Sequence, residues 1–481
     1  MRKEEVYLLF IKQCEEQAID PCSRKTFFPA IRRRPRAKQV QKRQGARAAY
    51  PYEPTVYYLD QETPRHGDRP FEIGHIDHTE FDCELVCSKT GRNLGRPWAT
   101  FLTDAYSRRL LATFVTFDPP SYRSCMMIVR DCVRRWGRLP ERFVVDGGKE
   151  FGSVYFDMLV AVFELTKMRR PAAQPRFGSV IERLFGTTNT QFVHNLLGNT
   201  QSTRDLRTIT TANDPRRQAV WTLAAFTRRL REWAYHVYDV RDHPALGQSP
   251  HDAYATGLAA TGVRPSRTIL YDHGFQLLTL PTTPKGHARV IPGRGVKIGC
   301  ILYWCDAFRH PSVQGTAVPV RYDPFNAGLA YAYAQRVWRE CRSEHLHAFR
   351  GRTERELQLA SHELRRRLAL VGRQQSLTSA RLATFLESLE QEEEVLLQRL
   401  RAAEVRQALE EQAREAGFIA AGDNRPTDGL GQVVDADTPP AGPQDQLSSS
   451  RYEDASPDAE SVSASRRRLA DSAILPTYEQ Y

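Results

Sequence analysis

The sequence predicts a multidomain α/β protein, in which a mixed-sheet domain is followed by a small β-barrel and flanked by helical segments. Three observations predict it. Between Phe71 and about Gly198, three consecutive β-rich runs precede alternating helices and strands, the pattern of a mixed sheet with helices packed on it. From about 267 to 335 the chain turns β-rich again with regularly placed glycines, which reads as a small barrel. At 481 residues it is too long for one ordinary domain, and the length alone suggests roughly three or four.

Taken in order, residues 1–50 form a basic helical segment. "KEEVYLLFIKQCEEQAI" places Val6, Leu9, Phe10 and Cys14 on one helical face. Ser23 can cap a short second helix that ends near Pro35. Arg24, Lys25, Arg32, Arg33 and Arg34 make that helix strongly cationic, and Arg24 to Arg47 holds ten Lys or Arg residues and no acid. Two such helices suit either part of a helix-turn-helix reader or a basic arm that grips phosphates without reading bases. Residues 51–70 read as linker.

The mixed-sheet domain and a helical extension occupy 71–262. Its strands are drawn from "EIGHIDHTEFDCELV", "PWATFLTDAYS", "LLATFVTF", "ERFVVDGG" and "TKMRRPAAQPRF". Its helices are "SYRSCMMIVRDCVRRWG", opened by Ser121 and closed by Gly137, then "SVYFDMLVAVFEL", "SVIERLFGTTNTQFVHNLL" and a helix over 215–240. The barrel is assigned to 263–340. Residues 345–416 are helical and charged, either a weak coiled coil or a solvated helix, since Leu382, Leu386, Leu389, Leu396 and Leu400 make a seam that Glu393 interrupts. Residues 417–481 form an acidic tail too poor in apolar residues to offset the entropy of ordering.

A net charge of +11 favours a polyanionic partner. The nine cysteines are scattered without a Cys-x-x-Cys pair, so a structural zinc site is not expected. No signal-peptide core or run of about 20 apolar residues is present, which points to free thiols in a reducing cytoplasm and no membrane association.

Three acids stand out. Asp77 lies within the first strand, sharing a face with His75 and Thr79, and a carboxylate there is costly unless paired or metal-bound. Asp146 ends a short apolar strand and is followed by two glycines, at the strand end where α/β sheets gather ligands. Glu182 lies in the first turn of a helix, where Ser179-x-x-Glu182 also fits a capping box. Thirty-five residues separate Asp146 from Glu182, and 68 separate Asp77 from Asp146. Asp82 and Asp104 read as turn or surface residues, and Glu150 as a neighbour of the second acid rather than a member of the set.

"HIDHTEF", "VVDGGKEF" and "GSVIERLFGTTN", in that order and spacing, resemble the DDE transposase and retroviral-integrase superfamily, whose catalytic core is RNase H-like. "KTFFPAIRR…GARAAY", "YDVRDHPALGQSPHDAY", "GVKIGCILYW" and "VPVRYDPFN" look like the flanks of TnsB/TniA and phage Mu-type transposases. The resemblance implies an RNase H-like core at 71–262 and a DNA-binding barrel of the Mu transposase C-terminal type at 263–340. It also implies that Asp77, Asp146 and Glu182 are catalytic and hold two Mg2+ ions, for which Mn2+ can substitute. The implied reaction is nicking of transposon ends and joining of their 3′-OH groups to target DNA. Lys149 and Arg183 are candidate DNA contacts beside the basic helix. The implied partners are transposon-end and target DNA, further copies of the chain on paired ends, and an AAA+ ATPase of the TnsC/TniB kind engaged by about 466–481. A functionless terminus is the alternative reading of that peptide. The expected location is the bacterial cytoplasm, at the nucleoid. Two other readings are a self-sufficient integrase-like recombinase and a catalytically silent DNA-binding repressor or architectural protein.

Overall fold

A computed structural model of the chain describes residues 3–49, 52, 66–170, 178–201, 214–370, 378–388 and 393–415. Most of the linker read at 51–70, the loop after Arg170, the acidic tail and the docking peptide at 466–481 lie outside the described residues.

The N-terminal segment holds α1 (Lys3–Glu16), α2 (Arg24–Arg32), α3 (Arg36–Gln44) and α4 (Ala46–Ala49). Aromatic rings tie the first two together, with Phe10 stacked on Phe27 at 4.6 Å and Tyr7 at 5.2 Å from Phe27. The second helix stops at Arg32, and Pro35 stands at the N-cap of a third helix that the sequence reading did not anticipate. Proline starts a helix as readily as it ends one, because its fixed φ suits the first turn. Gln39 locks the intervening turn by donating to the carbonyls of Ile31 (2.8 Å) and Arg34 (2.7 Å).

The mixed-sheet domain runs β1 (Ile73–Glu80), β2 (Leu85–Val86), β3 (Asn93–Gly95), β4 (Trp98–Asp104), β5 (Leu110–Thr116), α5 (Tyr122–Trp136), β6 (Arg142–Val145), α6 (Val154–Val162), β7 (Thr166–Arg169) and α7 (Ser179–Gln191). The five-stranded sheet has the order β5-β4-β1-β6-β7. The antiparallel ladder β5-β4-β1 forms one half, and β1, β6 and β7 run parallel in the other. Helix α5 covers the sheet with Cys125, Ile128, Val129, Cys132 and Val133, all buried at helical spacing. Its left-handed C-cap at Gly137 (φ 60°) closes it as expected. Phe101, Phe143 and Phe156 are fully buried, each contributing about 1.5–3 kcal/mol of apolar burial. Asp104 is the last residue of β4, not a surface residue. It is fully buried and accepts from the Phe71 and Ser107 amides (both 2.8 Å) and the Ser107 hydroxyl (2.6 Å).

The expected single helix over 215–240 is broken into α8 (Pro215–Gln218) and α9 (Leu223–Trp233), because Thr222 accepts from the Ala225 amide and starts a fresh helix. A π-turn at Ala234–Tyr238 follows, then α10 (Pro250–Thr261) and α11 (His273–Leu278). Strands β8 (His287–Ile291), β9 (Gly295–Ile298), β10 (Ile301–Trp304), β11 (Ala317–Tyr322), β12 (Leu329–Ala334) and β13 (Val337–Ser343) close a barrel in the order β10-β13-β12-β11-β8-β9.

Helices α12 (Leu346–Phe349), α13 (Glu354–Leu370), α14 (Ser379–Ser388) and α15 (Glu393–Glu415) follow. They form neither a coiled coil nor a solvated rod. Leu357, Ala360, Leu382 and Leu386 fill the barrel's core, while Val405 and Ala408 join the core of the mixed sheet. Glu404 accepts from the Ser88 amide (2.7 Å) and hydroxyl (2.6 Å), and Arg401 donates to the Leu94 carbonyl. The charges read as a solvated face are thus spent partly on docking α15 to the sheet domain. No helix among the described residues is long and apolar enough to cross a membrane.

Candidate active site

Strand register decides where the acids lie. β1 pairs with β6 as Ile73–Arg142, Gly74–Phe143 and His75–Val144. The same offset, carried two positions further, sets Asp77 beside Asp146 just past the end of β6. β6 pairs with β7 up to Val145–Arg169, so Arg170 stands level with Asp146, and its amide donates to the Val145 carbonyl at 2.9 Å. Asp77, Asp146 and Arg170 therefore share one level on three neighbouring parallel strands, at the carboxyl ends of β6 and β7.

Helix α7 supplies the fourth group. Ile181, Leu184 and Phe185 are buried, with Phe185 at 5.0 Å from Phe101 of β4, and this seats the helix on the sheet. Glu182 then stands at the helix margin, its side chain 53% exposed. The capping-box expectation fails, because Gly178 holds the N-cap position and no side chain bonds there. Glu182 reaches Arg170 instead.

Arg170 joins the two. Its Nη2 donates to Asp77 Oδ2 at 2.8 Å, and its Nη1 lies 3.5 Å from Glu182 Oε1. A Cβ on Gly178 would sit 1.9 Å from that Nη1 and 2.6 Å from Glu182 Oε1, so only glycine leaves the guanidinium its place. Asp77 Oδ1 accepts from the His78 amide at 2.8 Å. Burial pushes the Asp77 carboxyl above its usual range, and Arg170 works against that rise.

Asp146 Oδ1 accepts from the Gly148 amide at 2.8 Å, an aspartate turn. The two glycines expected to permit a sharp bend do not take left-handed φ. A Cβ on Gly148 would meet Glu150 Oε1 at 2.0 Å, so glycine there lets the Glu150 carboxylate keep its place. Glu150, set aside in the sequence reading, lies beside Asp146. Its carboxyl is pushed up by burial and then by the charges of Asp146 and Asp77. His78 forms a wall here, stacked on Phe151 at 5.0 Å, and burial holds its imidazole down to about 4.

Lys149 and Arg183 are exposed on either side of these acids, and Lys25, Arg32, Arg33 and Arg34 are exposed on and after α2. Arg24 is partly engaged with Glu4 at 3.5 Å.

The resemblance implies a divalent cation, and the donors present are oxygens of the hard kind that Mg2+ and Mn2+ take. Two of the three acids already face one cationic group, the Arg170 guanidinium, with the third beside Asp77. The fit is one of donor type: among the described residues no three His, Cys, Asp or Glu side chains stand close enough together to hold an ion as they lie. Sequence reasoning missed Arg170 and Gly178, and only the β6–β7 register could have revealed the arginine.

Residues 75–198, which run from within β1 to beyond the end of α7, match the family described as the TnsB C-terminal domain. The transposase for transposon Tn552 of Staphylococcus aureus is 26% identical over 277 residues, covering 54% of this chain and 51% of that protein. The chain thus spans about half the length of that relative. Among solved structures, the catalytic core domain of BIV integrase is 13% identical, covering 39% of this chain and 97% of its own, with a TM-score of 0.25. The HTLV-2 integrase catalytic core domain in complex with magnesium (trimeric form) is 11% identical over 39% of this chain and 97% of its own, with a TM-score of 0.26. The chain is thus similar in sequence to a transposase over about half its length. The similarity to the TnsB C-terminal domain lies in its sheet domain.

Proposed function

We propose that this chain is a TnsB/TniA-like DNA transposase that nicks transposon ends and joins the resulting 3′-OH groups to target DNA. The observation that carries the reading is the register placing Asp77 beside Asp146, with Glu182 brought by α7 to the same guanidinium as Asp77. In this reading those three carboxylates hold two Mg2+ ions, with Mn2+ able to substitute. Such ions supply activation of the attacking oxygen and stabilisation of the leaving one in an in-line displacement. The chain's own part is to hold the acids at one sheet end and to position DNA. The exposed Lys149 and Arg183 neutralise phosphates flanking the reacting bond. The basic N-terminal helices and the barrel grip the duplex, so binding weakens steeply with salt. His78 and Phe151, stacked at 5.0 Å, form a wall of the site.

The acidic tail belongs to the same proposal, with residues about 466–481 docking on an AAA+ ATPase and further copies of the chain pairing two ends. The test is an oligonucleotide end incubated with plasmid and Mg2+. Joining is expected for the wild type and lost in Asp77→Asn, Asp146→Asn and Glu182→Gln proteins that retain their fold by circular dichroism. Undiminished joining by any of the three sinks the assignment. End binding with no metal-dependent nicking or joining by the wild type would favour a silent DNA-binding protein.

A further inference from the structure

We propose that Arg170 is a resident counter-cation of this site, occupying the place between Asp77 and Glu182 until a divalent ion displaces it. The inference rests on the reading of Asp77 and Glu182 as metal ligands and adds a residue that acts on their loading. Three features of the fold carry it.

The first is placement. Arg170 follows β7 directly and its amide is fixed to the Val145 carbonyl at 2.9 Å, so its backbone is held by the same sheet that presents Asp146. The second is burial. The Arg170 side chain is 10% exposed and that of Asp77 15% exposed, so each charge has lost most of its water. A desolvated carboxylate beside another acid is held stably only with a cation near it. Arg170 meets that need at 2.8 Å from Asp77. The third is the cradle at Gly178. The N-cap of α7 is a glycine, and the space that any side chain would take there is filled by the guanidinium.

A guanidinium at that place and a divalent ion held by the same two carboxylates exclude each other, by space and by like charge. Metal entry therefore requires Arg170 to leave, and its departure sets a concentration threshold for loading. A phosphodiester offers the released guanidinium a bidentate partner. Bound DNA thus relieves the competition, and metal and DNA bind with positive coupling through this residue.

The experiment measures Mn2+ binding to the full-length chain without DNA, by calorimetry, together with thermal unfolding at zero and saturating Mn2+. Arg170→Gln removes the charge and is expected to bind Mn2+ about tenfold more tightly than wild type. Its melting point is expected to be lower without metal and to converge with wild type when metal saturates. Arg170→Lys keeps the charge and stays close to wild-type affinity. Asp77→Asn binds Mn2+ far more weakly. Unchanged or weakened affinity in Arg170→Gln, with the melting point lowered equally at every Mn2+ concentration, makes the arginine a structural brace and overturns the proposal. Wild-type affinity in Asp77→Asn overturns the ligand assignment itself, whatever Arg170 does.

Discussion

Replacing Gly178 by alanine perturbs the site with a single methyl group. The backbone there has φ −100° and ψ −3°, which alanine adopts freely, so no conformational strain enters. The added carbon would lie 1.9 Å from Arg170 Nη1 and 2.6 Å from Glu182 Oε1. Both atoms end flexible side chains and swing aside, so the steric part of the cost is small. What remains is the loss of the contact between Arg170 and Asp77, at 10% and 15% exposure. A fully buried pair broken by removing one partner costs about 3–5 kcal/mol. Here the guanidinium survives and regains water, and Asp77 keeps its bond from the His78 amide, so about 1–2 kcal/mol is expected. For a core of this size that lowers the melting temperature by ~3–6 °C. Differential scanning fluorimetry of the metal-free protein reads it, and Arg170→Gln serves as the reference. If the guanidinium contact is the source of the loss, adding Gly178→Ala to Arg170→Gln changes little more. Additive losses in the double variant would refute the reasoning, because they would place the methyl clash on something other than Arg170.

Two further outcomes are expected away from the acids. Arg109 donates from Nε (2.9 Å) and Nη2 (2.7 Å) to Asp239, whose side chain is 3% exposed, and it lies 4.8 Å from the rings of both Trp136 and Tyr254. Arg109→Ala should cost about 3–5 kcal/mol in urea unfolding and Arg109→Met with Asp239→Leu much less; equal losses would show that packing, not the stranded carboxylate, is responsible. His66 is held down to about 4 by burial and then by Arg108, below the ordinary 6.5. The unfolded chain takes up a proton between pH 6.5 and 4 that the folded chain refuses, so stability is lost as pH falls through that window. The group is only partly buried, so the slope stays below ~1.4 kcal/mol per pH unit. His66→Gln should flatten the pH dependence, and an unaltered slope would assign it to other groups.

The architecture was largely legible in the sequence because its signals are local. β-rich runs between turn signals mark β1, β4 and β5, an apolar run marks β6, and Ser121 and Gly137 frame α5. The acids at 77, 146 and 182 were visible as residues out of place, and their spacing linked them. What stayed hidden depends on pairing. The sheet order puts β6 beside β1, by a crossover that skips β4 and β5, and β7 beside β6, and nothing local encodes those offsets. Arg170 looked like one more basic residue because its meaning comes from being level with Asp146. Glu182 fitted a capping box until the helix start showed a glycine at the cap. The charge pattern of α15 fitted solvent until Glu404 and Arg401 found partners at Ser88 and Leu94.

That last helix makes the polypeptide's route circular. After leaving the mixed sheet for the barrel, the chain comes home to it, and Val405 and Ala408 close the hydrophobic interior that began at Phe71. A shortened protein ending at the barrel would leave a greasy trough open across β3, β5 and α9, inviting clumping. The boundary for a well-behaved fragment therefore falls beyond Glu415 rather than after Ser343, and the two globular parts are best handled as one piece.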